Sequence, residues 1–129
     1  MRNRPPLGSR AAYAKHMDDT ECIFCAIVAG DIPADIVLEN DSVIAFRDIA
    51  PKAPTHVLVV PRVHVPDVPT LAHSAPEILA DVVQAAGEVA KRECDGDFQL
   101  VFNTGVGAGQ TVFHVHGHVL GGAQMWQDA

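Results

Sequence analysis

Residues 98–122, FQLVFNTGVGAGQTVFHVHGHVLGG, hold the reading on which the fold turns. FQLVFN at 98–103 is rich in aromatic and β-branched residues and reads as a strand, TVFHVHGHVLG at 111–121 reads as a second, and the glycine-rich TGVGAGQ joins them. Side chains alternate across a strand, so His114, His116 and His118 are expected on one face, with Val115, Gly117 and Val119 on the other. Three imidazoles are costly to bury together unless metal, phosphate or mutual hydrogen bonds hold them. Gly105, Gly107 and Gly109 allow a close backbone approach, and successive amides there can line an anion-binding concavity beside Asn103, Gln110 and Thr111. The stretch lacks the strand-loop-helix context of a dinucleotide or Walker site. Joined to the three histidines, the glycine-rich loop points to a phosphate-handling site.

Outward from this stretch, Ser74 and Glu77 fit a capping box, and the apolar stripe Ile78, Leu79, Val82, Val83, Ala86, Val89 and Ala90 predicts a helix over 74–92 that covers a sheet. An Asp95-Gly96-Asp97 turn follows it. HVLVVP at 56–61 is almost wholly apolar, as expected of a central strand buried on both faces and closed by Pro61. IVLE at 36–39 and SVIAFRD at 42–48, separated by Asn40-Asp41, form a hairpin. The spacing of Ile23, Phe24, Ile27 and Val28 predicts a short helix ended by Gly30. Hairpin-ordered strands with helices between them define an α+β fold with a mainly antiparallel sheet.

At 129 residues the chain has room for one domain. Residues 1–18 read as a flexible basic arm and 19–129 as the domain; Gly8-Ser9-Arg10 and His16-Met17 are of the kind that cloning leaves behind. The net charge is −7, but residues 1–16 hold four basic and no acidic side chains, which leaves a body of −11. Such a body repels polyanions, so extended nucleic acid is not the expected partner. A small phosphorylated ligand, held by a few local donors, is compatible with it. Three cysteines argue against a secreted disulfide framework, and no apolar run suits a membrane span or a secretory leader, so a cytoplasmic, membrane-free protein is expected. Cys22 and Cys25 form C-x-x-C, which suits one metal ion, a redox pair or two idle thiols; the flanking chain lacks the βαβ pattern of a redox motif.

HVHGHVLGG, with NTGVGAGQTVFHVH, CIFCAIVAGDIPA and AFRDIAPKAPTHVLVVPRVH, resembles the histidine triad family over residues 22–125, in its purine nucleoside phosphoramidase branch. The resemblance implies an antiparallel sheet flanked by helices and completed as a homodimer. It implies His116 as the nucleophile that takes a nucleoside monophosphate covalently, with His118 as its phosphate-side companion. Asn103, Gly109, Gln110 and Thr111 are expected at the phosphate. Asp48 matches the ribose-binding acid, and Ile23, Phe24, Ile27, Phe46 and Ile49 match the apolar wall around a purine. Cys22, Cys25, His56 and His114 match a structural zinc site, and no organic cofactor is expected. His64 and Cys94 are read as incidental. The implied reaction is hydrolysis of purine nucleoside phosphoramidates. The alternatives are a dinucleoside polyphosphate hydrolase and, in another class, a zinc-stabilised nucleotide-binding or interaction module with little turnover. Two positions depart from the family: Gly117 stands where a bulky apolar residue is usual, and Ala123 where arginine is common.

Overall fold

Strand β1 (Ile36–Glu39) turns through Asn40, whose Oδ1 accepts from the backbone N–H of Ser42 and Val43, into strand β2 (Val43–Arg47). The molecule is described here by a computed structural model covering residues 21–122. The expected N-terminal arm, Ala123 and the final WQDA lie outside those residues. Strand β3 (Thr55–Pro61) pairs antiparallel with β2 and is buried at all seven positions, as its apolar run predicts. The remaining strands are β4 (Phe98–Val101) and β5 (Gly117–Gly121). The five form one antiparallel sheet in the order β1-β2-β3-β5-β4, which puts β3 at its centre.

Alternation along the strands divides two cores. Val43, Ala45, Val57, Val59 and Val119 face one side, where Val82, Ala85, Ala86, Val89 and Ala90 of the long helix cover them. Each buried valine contributes about 1.5–3 kcal/mol by leaving water. Ile44, Phe46, Leu58 and Val60 face the other side and pack against Phe24 and Ile27 of helix α1 (Ile23–Val28).

The long helix differs from expectation at its start. Ser74 does not cap it but ends a separate helix α2 (Val68–Ser74), where its hydroxyl donates back to Thr70 O at 2.8 Å. Asp67 caps α2 by accepting from the Thr70 N–H at 3.0 Å. Helix α3 (Pro76–Cys94) begins after Ala75 with proline in its first turn, where the missing N–H costs nothing. It ends with Asp95 in the left-handed region at φ 58°.

Strand β5 is also shorter than expected. Residues 111–116 lie outside the sheet ladder, and the Val115 N–H bonds instead to Val65 O at 2.7 Å. The space left by Gly117 is taken by β4 and the residue following it. A Cβ at Gly117 would stand 2.8 Å from Leu100 Cδ1 and 3.0 Å from Phe102 Cζ.

Candidate active site and metal centre

The departure of 111–116 from the sheet separates the three triad histidines. His114 is fully buried and turns toward helix α1, while His116 and His118 line open cavities. The Val115–Val65 bond draws the segment after β3 alongside, and with it His64. His114 Nδ1 lies 3.4 Å from Cys22 Sγ, 3.5 Å from Cys25 Sγ and 3.2 Å from His64 Nδ1; Cys25 Sγ is 3.3 Å from His64 Nδ1. The cysteines meet because Cys22 caps α1 with its own sulfur, which accepts the Cys25 N–H at 3.3 Å.

These four residues can hold a metal ion. Tetrahedral zinc requires sulfur–nitrogen separations of about 3.5 Å and nitrogen–nitrogen separations of about 3.3 Å, given its usual bond lengths. The observed spacings fit. His114 Nε2 donates to Pro61 O at 2.8 Å, which leaves the Nδ1 lone pair for the centre of the cluster and supplies the outer-shell brace typical of ligating imidazoles. Burial pushes the Cys22 thiol up, but the neighbouring His114 and His64 rings and the Cys25 amide outweigh it and bring it down to about 5. A thiolate ready for a cation results.

The expected ligand set is corrected at one position. His56 is not near the cysteines, and His64, read as incidental, takes its place. The sheet register explains this: His56 pairs with Leu120 and Leu58 with His118, so His56 and His118 are diagonal neighbours on one face. Their rings meet at 2.9 Å, His56 Nε2 to His118 Nδ1. No local spacing signals His64, because its neighbour is fixed by a loop-to-loop bond 50 residues away in sequence.

Backbone partners have fixed roles, so they determine the tautomers. The Lys52 N–H donates to His56 Nδ1 at 3.0 Å, which places the proton of neutral His56 on Nε2. That proton faces His118 Nδ1, and His118 therefore carries its own on Nε2. His116 Nδ1 donates to His114 O at 2.8 Å, which leaves its Nε2 lone pair bare. Burial holds His116 below the ordinary imidazole value, and burial with the nearby His116 and His56 brings His118 down to about 4. Two neutral rings with centroids 5.0 Å apart thus present one bare nitrogen and one N–H.

Two cavities, each of ≈ 710 Å³, share His116, His118, Asp48 and Thr111. The first is walled by Ile23, Phe24, Ile27, Phe46, Leu58 and Ile49, so all the apolar residues expected around a base meet there. Phe24 sets its ring edgewise to Phe46 at 5.6 Å and to His116 at 5.0 Å. Asp48 bridges both cavities; Oδ1 accepts the Ala50 N–H at 2.8 Å, while Oδ2 lies 3.4 Å from His56 Nε2. Asn103, Gly109 and Thr111 line the second cavity. Gln110 is different from expectation. Its amide is engaged within the loop, Oε1 accepting from the Gly105 N–H at 2.9 Å and Nε2 donating to Pro66 O at 2.7 Å and Val112 O at 3.1 Å. It braces the glycine loop, in which Gly105 and Gly109 adopt φ values of 90° and 91° that side chains disfavour.

An antiparallel sheet thus carries a bare imidazole nitrogen beside an N–H donor, between an apolar and a polar cavity. Residues 29–125 match the HIT domain, and the chain belongs to that family. It is 39% identical over 104 residues to the purine nucleoside phosphoramidase of Escherichia coli strain K12, covering 79% of this chain and 87% of that protein. It is 39% identical over 120 residues to the 14 kDa zinc-binding protein of Zea mays, covering 90% and 93%. Its fold matches the HIT family hydrolase of Legionella pneumophila Philadelphia 1 with a TM-score of 0.78 and 40% identity, over 84% of this chain and 100% of that one. Among the described residues no helix is long and apolar enough to cross a membrane.

Proposed function

We propose that this hydrolase cleaves purine nucleoside phosphoramidates through a nucleotide bound covalently to His116. The observation that carries the reading is the 2.8 Å bond from His116 Nδ1–H to His114 O, which frees Nε2 for attack. The first cavity would take the base, with Asp48 at the ribose hydroxyls. Nε2 bonds to phosphorus as the phosphorus–nitrogen bond breaks, and the leaving nitrogen keeps the electron pair. His118, protonated as the anionic substrate binds, gives that nitrogen its proton. Water then attacks phosphorus, returns a proton to His118, and the bond to His116 breaks with its electron pair restored to Nε2. Splitting one displacement into two eases attack on an anionic centre. The name of the Escherichia coli relative supports this substrate class.

Cys22, Cys25, His64 and His114 would hold a metal ion, read as zinc from the donor spacings and the zinc-binding relative. Four protein donors would leave no open position, so zinc there would supply a structural crosslink between helix α1, the segment after β3 and the approach to β5. Strand β4, at an edge of the sheet, offers unpaired backbone groups for the homodimer expected of the family. The test of the chemistry is an adenosine phosphoramidate with a fluorescent amine. Wild type should release the amine and His116→Ala should not; equal turnover by both would remove His116 as nucleophile.

A further inference from the structure

The two cavities meet at His116 and His118, so a phosphorus atom attacked by His116 stands between them. In-line displacement sends the leaving group away from the nucleophile. With the nucleoside in the apolar cavity, the second cavity is the space that remains for that group.

Its chemistry is distinct. Among the described residues that line it, Lys52 is the sole lysine or arginine, and it has no ion pair with any described residue. The 3.0 Å bond from its backbone N–H to His56 Nδ1 anchors it at the catalytic rings. Its charge adds to burial in disfavouring protonation of both His56 and His118, so it is felt at the reacting centre. Asp48, the acid nearby, already has Oδ1 on the Ala50 amide and Oδ2 directed at His56. Ala50, Val101 and Leu120 complete a short apolar floor.

We propose that Lys52 makes the second cavity selective for leaving groups carrying an anionic carboxylate or phosphate close to the scissile phosphorus–nitrogen bond. This rests on the phosphoramidase reading and names the leaving-group class, an amino acid joined through its α-nitrogen being the simplest member. The reaction balances as above, with the amino acid departing with its nitrogen protonated and its carboxylate paired to Lys52 throughout.

The experiment compares two adenosine phosphoramidates that differ in one charge, one made from tryptophan and one from tryptophanamide, using indole fluorescence. Wild type should favour the tryptophan compound in kcat/KM by about three- to fivefold, the size of a partly exposed ion pair, with the difference in KM. Lys52→Met should remove the preference, read as the ratio of the two kcat/KM values within the variant, whatever its absolute turnover. Lys52→Arg should keep the preference and Lys52→Glu should invert it. An unchanged preference in Lys52→Met overturns the proposal. If wild type cleaves neither compound, the phosphoramidase reading fails; calorimetric titration of the same compounds then reads the Lys52 preference directly, and equal binding of both overturns it.

Discussion

Two imidazole clusters lie on either side of residues 114–118, and their nitrogens face different things. Around His114 the rings of His64 and His114 direct Nδ1 atoms toward each other and toward two sulfurs, inside the protein. Around His116 each Nδ1 is occupied, by a carbonyl in His116 and by the His56 ring in His118, and these rings line cavities. The same residue type thus has the geometry of a ligand where lone pairs converge beside two sulfurs, and of a nucleophile or donor where a backbone or ring partner fixes the proton. His114 joins the two clusters, its ring in one and its carbonyl holding the His116 ring of the other.

The largest effect expected is on the catalytic side. His116→Ala should lower kcat/KM by roughly 10⁴-fold or more while metal content, read by elemental analysis, stays the same. A parallel fall in metal content would merge the clusters into one. Next, Cys22→Ser should abolish metal binding and lower stability on the order of 5 kcal/mol, seen as a drop in denaturation midpoint. Metal-replete His56→Ala should retain full metal content, which separates it from His64→Ala; the reverse outcome would restore the ligand set expected from sequence.

A smaller effect is expected within the catalytic cluster. His56→Ala should slow turnover by about 10²-fold through loss of the proton arrangement at His118, and His56→Gln, with an amide N–H in place of Nε2–H, should recover part of it. No recovery would make His56 a packing residue.

The smallest effect is in pH dependence. His118 titrates lower in the folded protein, near 4, than the ordinary 6.5, so between these values the unfolded chain binds the additional proton. Stability therefore falls as pH drops from 6.5 toward 4, by roughly 1–2 kcal/mol from His118 once its partial exposure is discounted. His118→Asn should flatten that limb of a denaturation-versus-pH curve, whereas an unchanged slope would assign it to the thiolate cluster.

Much of the fold was legible where one periodicity dominates. The continuous apolar run of β3 and the Asn40 turn each have a local cause and stand where the sequence puts them. The split between α2 and α3 was hidden because Ser74 and Glu77 have capping-box spacing; the competing signals were Asp67 with Pro69 and the proline at 76. The strand read from residue 111 failed because alternation describes a ladder, and residues 111–116 have none.

The sequence by itself determined the inventory: three histidines in HVHGHVL, two cysteines at a chelating interval and an antiparallel sheet with its covering helix, all set by residue type and short-range periodicity. Tertiary structure alone decided which histidine joined which cluster. His56 went to His118 because the β3–β5 register made them diagonal neighbours, and His64 went to the cysteines because Val65 and Val115 share a hydrogen bond. Neither pairing has a local period, since each depends on contacts between segments about 50 or more residues apart.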